Sequence, residues 1–276
     1  MNGMRIPETK PFYVPQSIRE QLVVIAKMSK TSPQNILIKG MQGCGKTELA
    51  EQTAARLNRP YADFQVGLLN EPGQLFGQQI LRTGNVEYQR FLFTDAIQVS
   101  NAIILLDEIN RAQHPKALND LYSVLDDRRY IWIDELGKTI RVAPGVIFFG
   151  TINEGAEFSG TDMCDAAMLD RFPYTIEMTV LPEEVERELL MARTGLDEKQ
   201  AERLASIYAG IRRTEVKLST RKALAIGHLV QHGLNLRQAF IMSLSINRDE
   251  LERVLVSIHL DTEEELGMRA EEWTML

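Results

Sequence analysis

Residues 40–47 carry the spacing Gly-x-x-x-x-Gly-Lys-Thr, which is typical of a loop that binds nucleotide phosphates. Its three glycines allow a backbone with positive φ that brings N–H groups close to phosphate oxygens. Lys46 can reach the β- and γ-phosphates, and Thr47 can place its hydroxyl on Mg²⁺. A chance match in a glycine-rich turn is the alternative. The candidate nucleotide-binding residues of the loop are Gly40, Gln42, Gly43, Cys44, Gly45, Lys46 and Thr47.

Two carboxylates offer the second half of such a site. The apolar run 103–106 predicts a buried strand, and Asp107 and Glu108 follow it directly. Ligands of open α/β sheets bind beyond the carboxyl ends of the strands, so we expect both side chains beside the phosphate loop. Asp107 could then hold Mg²⁺ through water, and Glu108 could orient and deprotonate an attacking water. Strands often end in acidic turns, but the position after a phosphate loop favours the functional interpretation.

Three further polar residues are candidates for the same chemistry. Asn153 follows another strand-like run and could hydrogen-bond the γ-phosphate or the water, although capping of a turn would explain it as well. Arg171 follows a helix of small residues, and we expect it to lie away from its own phosphate loop. Arg221 opens a predicted helix of the C-terminal domain. Both could be surface arginines, but phosphoryl-transfer sites commonly use arginine, in cis or in trans, to neutralise transition-state charge.

The elements that must position these residues alternate along the chain. A strand-like run precedes the phosphate loop, and residues 46–57 carry apolar residues at helical spacing after it. Alternation of this kind predicts an α/β fold, with a parallel sheet flanked by helices. Residues 129–134 and 138–142 bracket a glycine-bearing turn and predict a hairpin. The strand-like runs are 36–38, 61–64, 102–106, 146–150 and 174–178.

Changes in composition along the sequence predict four segments. Residues 1–20 are polar and punctuated by proline, which is typical of a lead-in segment. Residues 21–181 make the α/β nucleotide-binding domain. From 182 to 260 strand-like runs stop and four helical patterns follow, which predicts a small all-helical lid domain. Residues 261–276 form an acidic tail, either a solvated terminus or a docking segment.

Composition excludes several classes of protein. The chain has 276 residues, with 44% hydrophobic and 25% charged residues, as in ordinary globular proteins. We expect no membrane association, since no apolar run approaches the roughly 20 residues that span a bilayer. Two cysteines are too few for a disulfide framework, which together with the lack of a secretory signal points to the cytoplasm. The net charge of −7 counts against a nucleic-acid binder without excluding a basic pore.

Taken together, the motifs resemble the AAA+ ATPases of the MoxR branch, within the dynein-related group, over roughly residues 10–235. Residues 107–112 read Asp-Glu-Ile-Asn-Arg-Ala, identical to the DEINRA segment of MoxR proteins. Residues 150–153, 160–161 and 167–172 are similar to the family's stretch from sensor 1 to the sequence Asp-Arg-Phe. Residues 11–15 and the phosphate loop are similar to the CbbQ/NorQ subgroup.

The sequence departs from the family at two points. Glu154 stands where MoxR relatives often have proline, and residues 219–221, Ser-Thr-Arg, differ slightly from the usual lid motif.

The resemblance assigns roles to the candidates. Asp107 and Glu108 become the Walker B pair, and Asn153 becomes sensor 1. Arg171 becomes the arginine finger inserted into the site of a neighbouring subunit, and Arg221 becomes sensor 2 of the lid.

Further positions follow from the same resemblance. Arg111 is a second candidate for a contact in trans, and residues 12–14 would lie near the adenine. A helix-2 insert around 76–91 and a pre-sensor-1 hairpin at 130–142 would face the pore of a ring. Within the insert, Tyr88, Arg90 and Phe91 could touch a substrate or be partly buried.

The resemblance implies ATP and Mg²⁺ as cofactors and a homo-oligomeric ring, expected to be a hexamer. Hydrolysis would remodel or mature a client protein of unknown identity, together with a partner that carries a von Willebrand factor A domain. A nucleic-acid-linked AAA+ motor or switch, associated with restriction or phage, is the alternative. A small-molecule kinase shares the phosphate loop but needs neither Asn153 nor Arg171. His228 and His232 have a spacing that can bind zinc, but no third ligand is evident.

Overall fold

The computed structural model of the chain describes residues 4–69, 74–82, 85–111, 118–153, 166–214, 216–244 and 248–257. The chain divides into two compact units, Met1–Met178 and Thr179–Leu276. Two predicted features, the acidic tail at 261–276 and the motif at 160–161, lie outside the described residues.

The first unit alternates strands and helices. Its elements in chain order are α1 (Gln16–Met28), β1 (Gln34–Gly40), α2 (Lys46–Leu57), β2 (Tyr61–Gln65), β3 (Gly77–Arg82), β4 (Asn85–Arg90), α3 (Leu92–Ala96), β5 (Ile103–Asp107), α4 (Asn119–Leu125), β6 (Tyr130–Ile133), β7 (Lys138–Arg141), β8 (Ile147–Asn153), α5 (Ala166–Asp170) and β9 (Tyr174–Met178).

Five of these strands form one parallel sheet in the order β2-β5-β8-β1-β9. Strand β5, an inner strand of the sheet, is buried along its whole length, since neighbouring residues pack into two different cores. Ile104 and Leu106 join the core on one face, and Ile103 and Leu105 join the core on the other. A parallel sheet covered on both faces needs such a continuous apolar run. The predicted fold class is confirmed.

The register of the sheet brings the carboxyl ends of its strands to one edge. Gly40 at the end of β1 pairs with Asn153 of β8 on one side and with Met178 of β9 on the other. Asp107 at the end of β5 pairs with Gln65 at the end of β2. The residue types singled out in the sequence therefore share the edge where open α/β sheets bind ligands.

Two antiparallel hairpins lie outside the main sheet. Strands β3 and β4 form the first hairpin, in which Gly77 pairs with Arg90. This hairpin lies within residues 76–91, the span expected for a helix-2 insert. Strands β6 and β7 pair around a turn that ends at Gly137, whose φ of 58° suits glycine. The second hairpin agrees with the pattern in the sequence.

Helix α1 begins at Gln16, within the predicted lead-in segment. The carbonyl of Pro15 accepts hydrogen bonds from the N–H groups of Ile18 and Arg19, at 3.1 and 3.2 Å. Pro15 is the N-cap residue of α1, so the last five residues of the predicted lead-in segment are already helical. Arg5 forms a single antiparallel bridge to Tyr61 of β2.

The second unit contains five described helices around a core of its own. A capping box, in which Asp197 and Gln200 satisfy each other's backbone N–H groups, starts the second of them. Tyr208 is fully buried there and donates to the carbonyl of Ala223 at 2.9 Å. Among the described helices of the chain, none is long and apolar enough to cross a membrane. The five helices are α6 (Glu183–Thr194), α7 (Glu198–Ile211), α8 (Thr220–Gln231), α9 (Leu236–Leu244) and α10 (Arg248–Ser257).

Candidate functional site

The phosphate loop lies between the end of β1 and the start of α2. All three of its glycines have positive φ, from 77° to 148°. A Cβ at Gly40 would lie 2.4 Å from the carbonyl oxygen of Met178, so only glycine fits. At Gly45 a Cβ would lie 3.2 Å from the ring of Phe12. The loop thus has the tight backbone that phosphate binding requires, at the N-terminus of a helix.

Lys46 is buried at the first position of α2. Its Nζ donates to the carbonyls of Gly40 and Met41 at 2.9 and 2.8 Å, so its charge lies within the loop. Cys44 is also buried, and burial raises the pKa of its thiol, whereas Gln42 is exposed. All the candidate loop residues therefore fall within one short segment of the sheet edge.

Asp107 accepts three hydrogen bonds at the end of β5. Thr47 Oγ1 and Gln65 Nε2 each donate to Oδ2 at 3.2 Å, and the hydroxyl of Thr151 donates to Oδ1. Thr47 belongs to the phosphate loop, so the two predicted magnesium ligands are neighbours. A hydroxyl and a carboxylate oxygen at this separation are the hard ligands that Mg²⁺ prefers, with water filling its other positions.

Glu108 stands next to this pair in a strained conformation, with φ of 58°. Its backbone N–H donates to Thr151 Oγ1 at 2.9 Å, which fixes the strained residue to β8. Asn153 Nδ2 donates to Glu108 Oε1 at 2.9 Å, and Arg111 Nη1 lies 3.2 Å from both carboxylate oxygens. The structure therefore brings Lys46, Glu108 and Asn153 to one edge, with Asp107 beside them.

The residues present fit a nucleotide phosphate and Mg²⁺. Any Cβ at Gly40 would clash with the carbonyl oxygen of Met178, so the loop depends on glycine to keep the tight turn that phosphate loops use. Thr47 and Asp107 supply the oxygen ligands for the cation. Phe12 contacts the loop from the side, next to Gly45. Its expected proximity to an adenine stays a prediction.

Three residues of this site were missed in the sequence. Thr151 lies two residues before Asn153 on β8, and residues two apart in a strand point to the same face of the sheet. This spacing could have indicated Thr151 from the sequence. Gln65 carried no recognisable signal, because it ends a strand without a known motif. Gln52 on α2 accepts from the N–H of Lys10 and donates to the carbonyl of Glu8, at 2.8 and 3.2 Å. It ties the segment that carries Phe12 to the phosphate-loop helix.

The two distal arginines lie elsewhere. Arg171 follows α5, and its carbonyl accepts from Asn35 Nδ2 at 2.6 Å, near the start of β1. Asn35 precedes Gly40 by five residues of extended strand, which separates them by about 16 Å. Arg171 therefore lies away from its own phosphate loop, as expected. Arg221 is exposed on the first turn of α8, in the second unit.

The spacing of His228 and His232, which could suit a zinc ion, is accounted for by their contact at the end of α8. His232 follows α8, and its Nδ1 lies 2.8 Å from the carbonyl of His228. In the part of the chain that the structure describes, no group of three or more His, Cys, Asp or Glu side chains could hold a metal ion.

The fold and the arrangement of this edge define a P-loop nucleotide-binding protein of the AAA+ class. The profile of the AAA domain (dynein-related subfamily) matches residues 35–172, and that of the CbbQ/NirQ/NorQ C-terminal region matches residues 186–250. The chain belongs to the MoxR/CbbQ-like AAA+ ATPases.

Curated relatives extend over nearly the whole chain. The candidate chaperone BssE of Thauera aromatica is 45% identical over 265 residues, which cover 95% of this chain and 92% of BssE. The protein NorQ of Paracoccus denitrificans is 28% identical and covers 83% of this chain and 84% of NorQ. The predicted membership of the MoxR branch with CbbQ/NorQ-like features is confirmed.

Solved structures share the fold. The RuvB Holliday junction branch migration motor of Thermotoga maritima matches with a TM-score of 0.57 at 17% identity, over 93% of this chain and 74% of RuvB. Closed-state Hsp104 matches with a TM-score of 0.57 at 20% identity, over 83% of this chain and 49% of Hsp104. At these identities the likeness concerns the AAA+ architecture alone.

Proposed function

We propose that this protein hydrolyses ATP with Mg²⁺ and uses the energy to remodel or mature a client protein. One observation carries the proposal. Thr47 of the phosphate loop contacts Asp107, and Glu108 contacts Asn153, so four predicted residues form one cluster on three elements. A purely structural cluster would not need a strained glutamate beside a phosphate loop.

Each side chain has a separate task in this proposal. Bound Mg·ATP would supply the electrophilic γ-phosphoryl group and a cation that neutralises developing charge. Lys46 would exchange its two loop carbonyls for phosphate oxygens, while Thr47 and Asp107 hold the cation. Glu108 would accept the proton of the attacking water, and Asn153 would orient that water and the carboxylate.

Arg171 supports an assembly. Since about 16 Å of strand separates its anchor from Gly40, its side chain cannot serve its own loop. In our proposal it acts as an arginine finger in the neighbouring subunit of a homo-oligomeric ring, with a hexamer as the expected form. Arg111 is paired with Glu108 in its own subunit, which favours Arg171 over Arg111 as the residue that acts in trans.

The relatives support a chaperone-like role in this proposal. BssE is named as a candidate chaperone, and its 45% identity across 95% of this chain supports a similar role here. A partner with a von Willebrand factor A domain and a cytoplasmic location complete the proposal, and Arg221 would report the nucleotide from the lid. The nucleic-acid motor has no comparable support, because the likeness to RuvB concerns the fold alone.

Two substitutions separate binding from turnover. Lys46→Ala should abolish binding of a fluorescent ATP analogue, because the loop loses its only lysine at the phosphates. Glu108→Gln should bind the analogue as well as the unmodified chain and release phosphate at least about 100-fold more slowly. Light scattering of Glu108→Gln with ATP should give the mass of a ring. The same variant should stay bound to its client, because it does not complete hydrolysis. Normal turnover by Glu108→Gln would refute the assignment.

A further inference from the structure

The side chain of Asn35 connects three separate elements at the start of β1. Its Nδ2 donates to the carbonyls of Leu125 and Arg171, each at 2.6 Å. Its Oδ1 accepts from Arg129 Nη1 at 2.7 Å. The side chain is buried, with 2% exposure, so these bonds form away from water.

Arg129 fixes which way the amide points. A guanidinium can only donate, so it must face the oxygen of Asn35 and leave the NH₂ group for the two carbonyls. Arg129 is held in turn by the carbonyl of Pro33, at 2.9 Å from Nη2. Burial lowers the pKa of the Arg129 guanidinium from its ordinary value. The orientation of the amide therefore follows from the chemistry of its partners.

The two carbonyls that accept hydrogen bonds from Asn35 both help to fix the position of Arg171. One is the carbonyl of Arg171 itself. The other belongs to Leu125, at the end of α4, the helix that also carries Tyr122. The guanidinium of Arg171 lies 4.3 Å from the centre of the Tyr122 ring, within cation–π range. One amide group thus fixes both the backbone of Arg171 and the helix on which its guanidinium stacks.

We propose that Asn35 and Tyr122 are positioning residues for Arg171 and set the catalytic rate of the neighbouring subunit. The inference rests on the proposed role of Arg171 in trans. Neither side chain would touch the ATP of its own subunit, since both contact Arg171 near the start of β1, at the end of the strand opposite the phosphate loop. An arginine finger contributes about 10³–10⁵ in rate, so a displaced finger loses a large part of that factor.

Asn35→Asp tests the amide with the least change in shape. The aspartate keeps an acceptor for Arg129 but places an oxygen against two carbonyls that need a donor. We expect kcat to fall at least about tenfold, while KM and the affinity for a fluorescent ATP analogue stay within about twofold. Loss of nucleotide binding in step with kcat would indicate a general structural defect and overturn the proposal.

The activity of mixed assemblies distinguishes a positioning role from a general structural defect, because a structural defect would not be complemented by a second variant. Asn35→Asp subunits have intact phosphate loops, and Lys46→Ala subunits have intact fingers. An equal mixture should therefore regain activity comparable to a reference mixture of Arg171→Ala and Lys46→Ala. If the reference regains activity and the Asn35→Asp mixture does not, the positioning role is wrong. If the reference itself stays inactive, the role of Arg171 in trans is wrong, and the inference falls with it.

Tyr122 provides a second, independent pair of variants in case Asn35→Asp does not fold. Tyr122→Phe keeps an aromatic face under the guanidinium of Arg171 and should retain kcat within about twofold. Tyr122→Leu removes that face, and it should lower kcat and be complemented by Lys46→Ala. Equal kcat for the Leu and Phe variants would contradict the role of the ring.

Discussion

Replacement of Thr151 by valine tests the geometry of the candidate site more sharply than removal of a charged residue. Thr151 is fully buried, and its hydroxyl serves two neighbours at once. It accepts from the N–H of Glu108 at 2.9 Å and donates to the carboxylate of Asp107. Valine has nearly the same shape, so Thr151→Val removes the hydrogen bonds and preserves the volume. It leaves the part-buried N–H of Glu108 and an oxygen of the buried Asp107 carboxylate each short of a partner.

The expected magnitude follows from these two losses. A buried polar group left without its partner costs about 1–3 kcal/mol, and a hydrogen bond to a charged group lies at the upper end. We therefore expect Thr151→Val to lower the free energy of unfolding of the first unit by about 3 kcal/mol. For a unit of this size, that corresponds to a fall in Tm of about 6–12 °C. Because Glu108 also loses its anchor, kcat should fall at least about tenfold with KM little changed.

Trp132 offers a fluorescence signal for the assay, since it lies in the first unit and is 54% exposed. In a Trp273→Phe background it is the only tryptophan, and urea denaturation then reports on this unit. Thr151→Ser is the matched control, because it keeps the hydroxyl and loses only a methyl group, at about 1 kcal/mol. If the valine variant were as stable and active as the serine variant, the hydroxyl would not hold Glu108, and our account of the site would be refuted.

Three further predictions concern other parts of the chain. Gly40→Ala should weaken binding of a fluorescent ATP analogue at least about tenfold, because the new Cβ would lie 2.4 Å from the Met178 carbonyl. Cys44 in a Cys164→Ser background should react slowly with a maleimide at pH 8, since burial raises its pKa and only the thiolate reacts; the rate should rise as the pH approaches that pKa. Arg212→Met should destabilise the second unit by about 3–5 kcal/mol in urea, because Glu186, 1% exposed, would lose the charge that neutralises it.

Each of these predictions has a matched control. Gly137→Ala places a Cβ in open space on a hairpin turn and should leave nucleotide binding unchanged. The thiol reaction in urea gives the rate of an exposed Cys44, and an equal rate in the folded chain would contradict the assigned burial. Arg213 is exposed next to Arg212, and Arg213→Met should be nearly neutral. A similar loss of stability for both arginine variants would refute the role of the buried ion pair.

Sequence patterns predict the sheet well because its three inner strands, β5, β8 and β1, are buried on both faces. Runs such as 103–106 are apolar without interruption, and helical patterns separate them from the next run. The edge of the sheet then follows from the direction of parallel strands, which is why Asp107, Glu108 and Asn153 could be placed together. The start of α1 could not be predicted as well. The prolines of residues 1–20 are typical of irregular structure, yet the helix begins directly after Pro15.

The supporting residues were harder to recognise than the residues of the motifs. Asn35 lies in an apolar strand, and its role depends on carbonyls of Leu125 and Arg171, which are remote in sequence. Gln65 and Thr151 likewise act through partners on other strands. Such contacts depend on the register between strands, which local composition does not determine.

Phosphate release by an equal mixture of Lys46→Ala and Arg171→Ala subunits tests the central claim most directly. Each variant alone should be nearly inactive, since one lacks a working phosphate loop and the other lacks the finger. In a randomly mixed ring, half of the loops are intact and half of their neighbours supply Arg171, so we expect roughly a quarter of the activity of the unmodified chain. A mixture no more active than the sum of its separate components, beside an active unmodified chain, would contradict a site shared between subunits.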